Sequence, residues 1–301
     1  MKKVISLLLV LAIGAMALTA CGGGESAGGS DSGSGSTAAE FDTSKDITVV
    51  SREDGSGTRS AFIELTGVEV EDGDTTVDMT TENAETVNST NLVMQSVAGN
   101  PYAIGYISLG SLNDTVKAVT VDGVEATVEN IKAGNYALSR PFLMVTGKNP
   151  DAATQDFINF CMSAEGQKVV EDEKYIPTVD NAESYTASDA TGNVLISGSS
   201  SVSPVMEKLI EAYEKVNTNV TVELNTSDSS TGIKDAISGN AQIGIASREL
   251  KDTEAPDLIE TKLAIDGIAV VVNNANTITA LTTDGIRAIY TGETTKWSDA
   301  K

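Results

Sequence analysis

Nine residues, Ser51 to Arg59, read S-R-E-D-G-S-G-T-R and carry the means to hold an oxyanion. Arg52 offers a planar fork of N–H donors that matches tetrahedral oxyanions, and Asp54 stands close enough in sequence to hold that fork. Ser56 and Thr58 add hydroxyl donors, and Gly55 and Gly57 let a ligand come close to the backbone. An apolar β-type run, Ile47 to Val50, precedes this stretch, and a helical pattern, Ala61 to Leu65, follows it. A helix starting here aims free N–H groups and the positive end of its dipole at one spot. A capped turn alone would account for Asp or Ser at this place. The flanking Arg52 and Asp54 favour an anion site. Arg59 is expected on the first helical turn, facing solvent.

Two more stretches repeat the arrangement of strand, hydroxyl-rich turn and helix. Val194 to Ile196 leads into S-G-S-S-S-V-S-P, Ser197 to Pro204. A helix follows, with Val205, Met206, Leu209, Ile210, Tyr213 and Val216 on one face and Pro204 near its first position. Val220 to Leu224 leads into S-D-S-S-T-G, Ser227 to Gly232, and a helix over Ile233 to Ile237. A lone serine-rich turn is usually a cap; three in one chain with an arginine form a more specific constellation for a dehydrated tetrahedral anion.

These residues need an α/β scaffold, and the composition supplies one. The chain has 301 residues, enough for two domains, with 40% hydrophobic and 4% aromatic residues. A net charge of −23 argues against nucleic acid as a partner, which needs a basic face. It does not exclude an anionic ligand, because surface charge is screened while a buried site acts at short range. The sequence contains no histidine, so the Ser-His-Asp and Cys-His nucleophile systems and His-based zinc sites are excluded. Nothing in the sequence calls for a metal or a cofactor, and an enzyme is the weakest reading.

The N-terminus reads as an address. Lys2-Lys3 and the apolar run Val4 to Ala17 have the form of a signal peptide, too short for a comfortable membrane span. Leu18-Thr19-Ala20-Cys21 resembles the bacterial lipoprotein cleavage box, which implies a lipid on the Cys21 sulfur. Residues 1–20 are then the signal peptide and 21–40 a flexible Gly/Ser linker. The other thiol, Cys161, lies in an apolar helical pattern and is expected to be buried.

S-R-E-D-G-S-G-T-R resembles the signature of the PstS family, the phosphate-binding proteins that feed ABC phosphate importers. P-Y-A-I-G-Y at Pro101 to Tyr106, the serine turns, I-G-I-A-S-R-E-L at Ile243 to Leu250 and I-Y-T-G-E-T-T-K-W at Ile289 to Trp297 resemble further family elements. They stand in rotated order. The family's second half occupies about 41–185 and its first half about 190–301, the arrangement of a circular permutation. A truncated tandem duplication competes with it, but no element is represented twice.

The resemblance implies a circularly permuted, α/β, two-domain periplasmic-binding-protein-like fold with the ligand cleft between the domains. One domain is expected over 41–140 plus 267–301, the other over 141–266, with crossings near Ser139–Phe142 and Ile265–Ala269. It implies phosphate contacts from Arg52, Ser56, Gly57, Thr58, Ser200, Ser201, Ser229 and Ser230, with Asp54 orienting Arg52. One departure stands out. Arg248 occupies the place where well-known members carry an Asp that accepts the proton of hydrogen phosphate, so Arg248 is either a ligand contact or half of a surface or interdomain ion pair.

The implied function is capture of inorganic phosphate outside the cytoplasmic membrane, with delivery to an ABC phosphate permease and anchorage to the membrane through the N-terminal lipid. The alternatives are a binding protein for another oxyanion, such as sulfate or molybdate, and a phosphate-binding surface protein for sensing or attachment.

Overall fold

Of the strands that feed the serine turns, Thr48–Arg52 and Gly192–Ser199 are mostly buried, as parallel strands covered by helices must be, while Val220–Ser227 at the sheet edge keeps several exposed residues. The computed structural model describes residues 41–301 except Asp74; the signal peptide, the linker and Cys21 lie outside the described residues. In β1 (Thr48–Arg52), Val49 packs into one apolar cluster and Val50 into another. The chain then enters α1 (Gly57–Thr66) through the N-cap Ser56, whose hydroxyl accepts the Arg59 N–H. The acidic stretch beyond it is an exposed hairpin of β2 (Glu69–Asp72) and β3 (Thr75–Asp78). The spacing of apolar residues predicts a helix from Thr86, but β4 (Glu85–Val87) is a strand, because Thr86 and Val87 pair with Ser51 and Arg52 of β1. Helix α2 (Thr90–Gly99) starts after the Ser89 cap. The buried β5 (Ala103–Ser108) follows, then the short β6 (Lys117–Ala118), β7 (Thr120–Val121) and α3 (Val128–Lys132).

β8 (Ser139–Gly147) opens a second apolar core, to which α4 (Ala152–Cys161) and α5 (Ala164–Asp172) contribute, and the short β9 (Ile176–Pro177) follows, with Ile176 packed against the first core. Cys161 is buried in the second core, and burial pushes its thiol far above the usual range, so it is an inert packing group. The serine turns come next, in β10 (Gly192–Ser199), α6 (Ser203–Tyr213), β11 (Val220–Ser227) and α7 (Ser229–Ser238). Val216 is exposed rather than on the buried face of α6, because the helix ends at Tyr213 and its angular spacing ends there too. The chain closes with β12 (Ile243–Ala246), β13 (Leu258–Val272), β14 (Ala280–Leu281) and α8 (Thr283–Tyr290).

The main sheet has the order β11-β10-β12-β8-β13-β5-β1-β4, and β6 and β9 also pair with β13. β10 is parallel to β11 and β12, and β1 is parallel to β4 and β5. The antiparallel strands β8 and β13 stand between these two groups. β13 changes partner midway: Leu258 to Gly267 pair with β8, and Ile268 to Val272 pair with β5. The apolar clusters divide at the same place. One set draws its buried residues from Val49 to Leu138 and from Ile268 to Trp297, the other from Phe142 to Ala264.

The chain end returns to the beginning of β1. Lys296 bridges Asp46, Ile47 N–H donates to the Thr295 carbonyl at 2.8 Å, and Trp297 N–H to the Lys45 carbonyl at 3.2 Å. The Lys301 carbonyl accepts the Thr282 N–H at 2.9 Å, beside the start of α8.

Candidate functional site

The parallel strands β1, β10 and β11 end at Arg52, Ser199 and Ser227, and β12 ends just before Ser247. Helix starts lie next to three of these ends, so hydroxyls, first-turn N–H groups and one arginine gather where open α/β sheets place their ligands. Arg52 is buried, with 2% of its side chain exposed. Its backbone N–H donates to the Tyr106 hydroxyl at 3.1 Å, and that hydroxyl also bonds Ser51 Oγ at 2.9 Å. Tyr106 in turn stacks on Phe62 of α1, with ring centroids 4.0 Å apart. The P-Y-A-I-G-Y element therefore serves to hold the arginine strand.

The three turns meet although they are far apart in sequence. Arg52 Nη2 donates to Ser200 Oγ at 3.1 Å. Thr58 Oγ1 bonds Ser201 Oγ at 2.8 Å, and Ser201 Oγ lies 3.1 Å from Thr90 Oγ1 at the start of α2. Ser230 N–H donates to the Gly55 carbonyl at 3.2 Å. Gly57 sits so close to the third turn that a Cβ there would lie 2.3 Å from Ser229 Oγ and 2.8 Å from Ser247 Oγ. Gly55 faces Asp228 as closely, with 2.3 Å from its virtual Cβ to Oδ1. The lack of a side chain at Gly55 and Gly57 thus lets the first turn pack directly against the third. Arg52, Gly57, Thr58, Ser200, Ser201, Ser229 and Ser230 all come together here, while Ser56 stands beside them as the α1 cap.

Asp54 does not orient Arg52. Glu53 does, with its two carboxylate oxygens 2.7 Å from Nε and Nη2 of the guanidinium. Asp54 projects from the turn with its side chain 98% exposed and pairs with Arg59 at 3.0 Å. Arg59, for its part, does not face solvent. It donates to Asp78 Oδ2 at 2.8 Å and to the Arg52 carbonyl at 2.6 Å. Burial raises the Asp78 carboxyl, but bonds from Thr80 and Arg59 outweigh this and hold it below the usual range. Arg59→Ala is expected to reduce stability by about 1–3 kcal/mol, the cost of stripping a charged donor from a partly buried carbonyl and carboxylate. Chemical denaturation measures it, and an unchanged midpoint would show that Arg59 carries no structural role.

Arg248 is buried in an ion pair within its own half. Both of its terminal nitrogens bond Glu254, at 2.8 and 2.9 Å, and Nη2 also reaches Ser230 Oγ at 3.3 Å. Burial works against the Glu254 charge, but the Arg248 fork and the Lys251 N–H hold its carboxyl below the usual range. The pairing is therefore neither a surface pair nor an interdomain one, and it touches the third serine turn.

Ser199, Ser247, Thr90 and Glu53 also belong to this network, and no local motif marks their roles. Ser199 Oγ–H donates to Ser247 Oγ at 2.9 Å, and Ser247 N–H donates to Ser229 Oγ at 3.1 Å, which ties the second turn to the third. Ser247 directly precedes Arg248 in the third element, and that adjacency was the available signal.

A family model for the PBP superfamily domain matches residues 38–165 and 183–301. A phosphate-binding protein PstS 2 of Streptococcus agalactiae serotype V is 54% identical over 258 residues, covering 84% of this chain and 87% of its own. The PstS 2 of Streptococcus pneumoniae serotype 4 is 42% identical over 300 residues, 100% of this chain and 99% of its own. The crystal structure of the phosphate-binding protein of a phosphate ABC transporter from Streptococcus pneumoniae superposes with a TM-score of 0.69 at 44% identity, covering 85% of this chain and all (100%) of that one. The fold and the family model define a binding protein of the PBP superfamily. Within it, this chain belongs to the PstS family of phosphate-binding proteins.

Proposed function

We propose that this protein captures inorganic phosphate outside the cytoplasmic membrane and delivers it to an ABC phosphate importer. The observation that carries this reading is the convergence of one buried arginine, Arg52, with three hydroxyl-rich helix starts contributed by both halves of the fold. Such a site binds through donors alone, which suits an anion stripped of water. Arg52, Ser56, Gly57, Thr58, Ser200, Ser201, Ser229 and Ser230 form the contact set. Glu53, not Asp54, orients Arg52.

Two lobes, 41–140 with 267–301 and 141–266, are proposed to hinge at β8 and β13 and to close on the ligand, presenting the closed form to the permease. The division of the apolar cores at these strands supports this. The rotated order of elements is proposed as a circular permutation. Its support is the return of residues 295–298 to the start of β1 and the meeting of turns some 140 residues apart, which suits chain ends that lie near each other.

Calorimetric titration of the protein with phosphate, arsenate, sulfate and molybdate tests the ligand. Saturable binding of phosphate ahead of sulfate and molybdate is expected, and preference for either of those over phosphate would reject the reading.

Membrane attachment is proposed through lipid on Cys21, followed by the Gly/Ser linker. Cys21→Ser is expected to move the protein from the membrane fraction to the soluble fraction with its phosphate affinity unchanged. Retention of the variant in washed membranes would reject the anchor.

A further inference from the structure

We propose that Arg140 and Asp266 are positioning residues of the anion site, fixing the backbone at Ser247 to the strand crossing between the two halves. The proposal rests on the anion-binding function just given. Asp266 lies in β13 at the point where that strand passes from β8 to β5, and it is paired in register with Arg140 of β8. Its Oδ2 accepts from Arg140 Nε at 3.3 Å and Nη2 at 3.1 Å. Its Oδ1 accepts the Ser108 hydroxyl proton at 2.9 Å, at the end of β5 in the other half. The remaining arm of the fork, Arg140 Nη1, donates to the Ser247 carbonyl at 3.2 Å.

Ser247 then carries the connection into the ligand turns. Its N–H bonds Ser229 Oγ and its Oγ accepts from Ser199, so one chain of hydrogen bonds runs from β5 through both crossing strands to two serine turns. A buried ion pair is by itself weak evidence for stability, since apolar packing does as well. A pair whose third bond holds a site residue does something apolar side chains cannot, because only a donor can orient that carbonyl.

The groups facing Asp266 are few. Arg140 faces it from β8, the Ser108 hydroxyl and the Gly110 N–H from the end of β5 and beyond, and the Tyr136 and Tyr175 rings lie nearby. Arg52 of β1 acts on Arg140 in turn. Burial pushes the Asp266 carboxyl up to about 6, with Arg140 and Ser108 opposing the rise. Burial raises both tyrosines, so they stay neutral while Asp266 titrates. Below about 6, Asp266 becomes protonated and loses its charge-assisted hold on Arg140. The folded state then binds this proton more tightly than the unfolded chain, so the group's contribution to fold stability rises, not falls, as the pH drops through that window. Acid should therefore loosen the site without unfolding the protein through this group.

The test is calorimetry of the full chain with orthophosphate between about pH 5 and pH 8, for wild type and Asp266→Asn, which mimics the protonated acid. The ratio of the two affinities cancels the ionisation of phosphate itself. Wild type should bind about tenfold more tightly at the alkaline end, and the ratio should approach one at the acid end. A ratio that is constant with pH would overturn the positioning role while leaving the phosphate site intact. Absence of phosphate binding by wild type would overturn the site and the positioning role together. Ser108→Ala removes one bond that stabilises the Asp266 charge, so it should shift the acid loss of affinity to higher pH even if Asp266→Asn fails to fold. An unshifted loss in that variant would also overturn the proposal.

Discussion

Arg52→Ala should lower phosphate affinity by roughly a hundredfold or more. Arg52 is the guanidinium that reaches across to Ser200 in the other half, and its side chain is almost wholly buried. Truncation removes a charge-assisted fork from a desolvated site, a loss of about 3 kcal/mol or more, and about 1.4 kcal/mol corresponds to each factor of ten. It also leaves the Glu53 carboxylate without its partner beside the bound anion. Repulsion then adds to the loss, so Arg52→Ala combined with Glu53→Gln should recover part of the affinity. The orienting role of Glu53 predicts this recovery. Equal affinity in the single and double variants would show that Glu53 does not hold Arg52.

Gly57→Ala should be the second large effect. Its added methyl would lie 2.3 Å from Ser229 Oγ, 2.8 Å from Ser247 Oγ and 3.0 Å from Ser229 Cβ. Ser229 and Ser247 are buried and already bonded to each other's atoms, so neither yields easily. Overpacking of this kind costs about 1–3 kcal/mol, or roughly fivefold to a hundredfold in affinity. On the proposed hinge closure the penalty falls on the closed form, because Gly57 and these serines belong to the two lobes proposed above. Titration with phosphate should show the loss, while thermal melting without ligand should change little. A large drop in ligand-free melting temperature with unchanged affinity would contradict this placement of Gly57.

The serine turns were legible in the sequence because each is local. A short apolar run, a Gly/Ser/Thr turn and a helical pattern lie within about twenty residues, and local pattern fixes local structure. The strands β8 and β13 were legible for a different reason, long apolar runs that resemble family elements. What the sequence concealed was the partner of each arginine. Arg140 and Asp266 are 126 positions apart and meet only because β8 and β13 pair in one register. Glu53 and Asp54 are neighbours with the same charge, and nothing local separates the one that grips Arg52 from the one that points to solvent. Ser247 looked like the residue before Arg248, and its place in the site follows from β12 lying beside β10.

On the proposed function, the turns around Arg52, Ser200 and Ser229 close together on one phosphate. A crystal structure of the protein grown with orthophosphate tests it most directly. One phosphate is expected with its oxygens in hydrogen-bond reach of the Arg52 guanidinium, the Gly57 and Thr58 turn and the serines of both other turns, with Ser247 held by Arg140 as it is here. A phosphate bound elsewhere, or bound to one turn with the other two apart from it, would rule out a shared site.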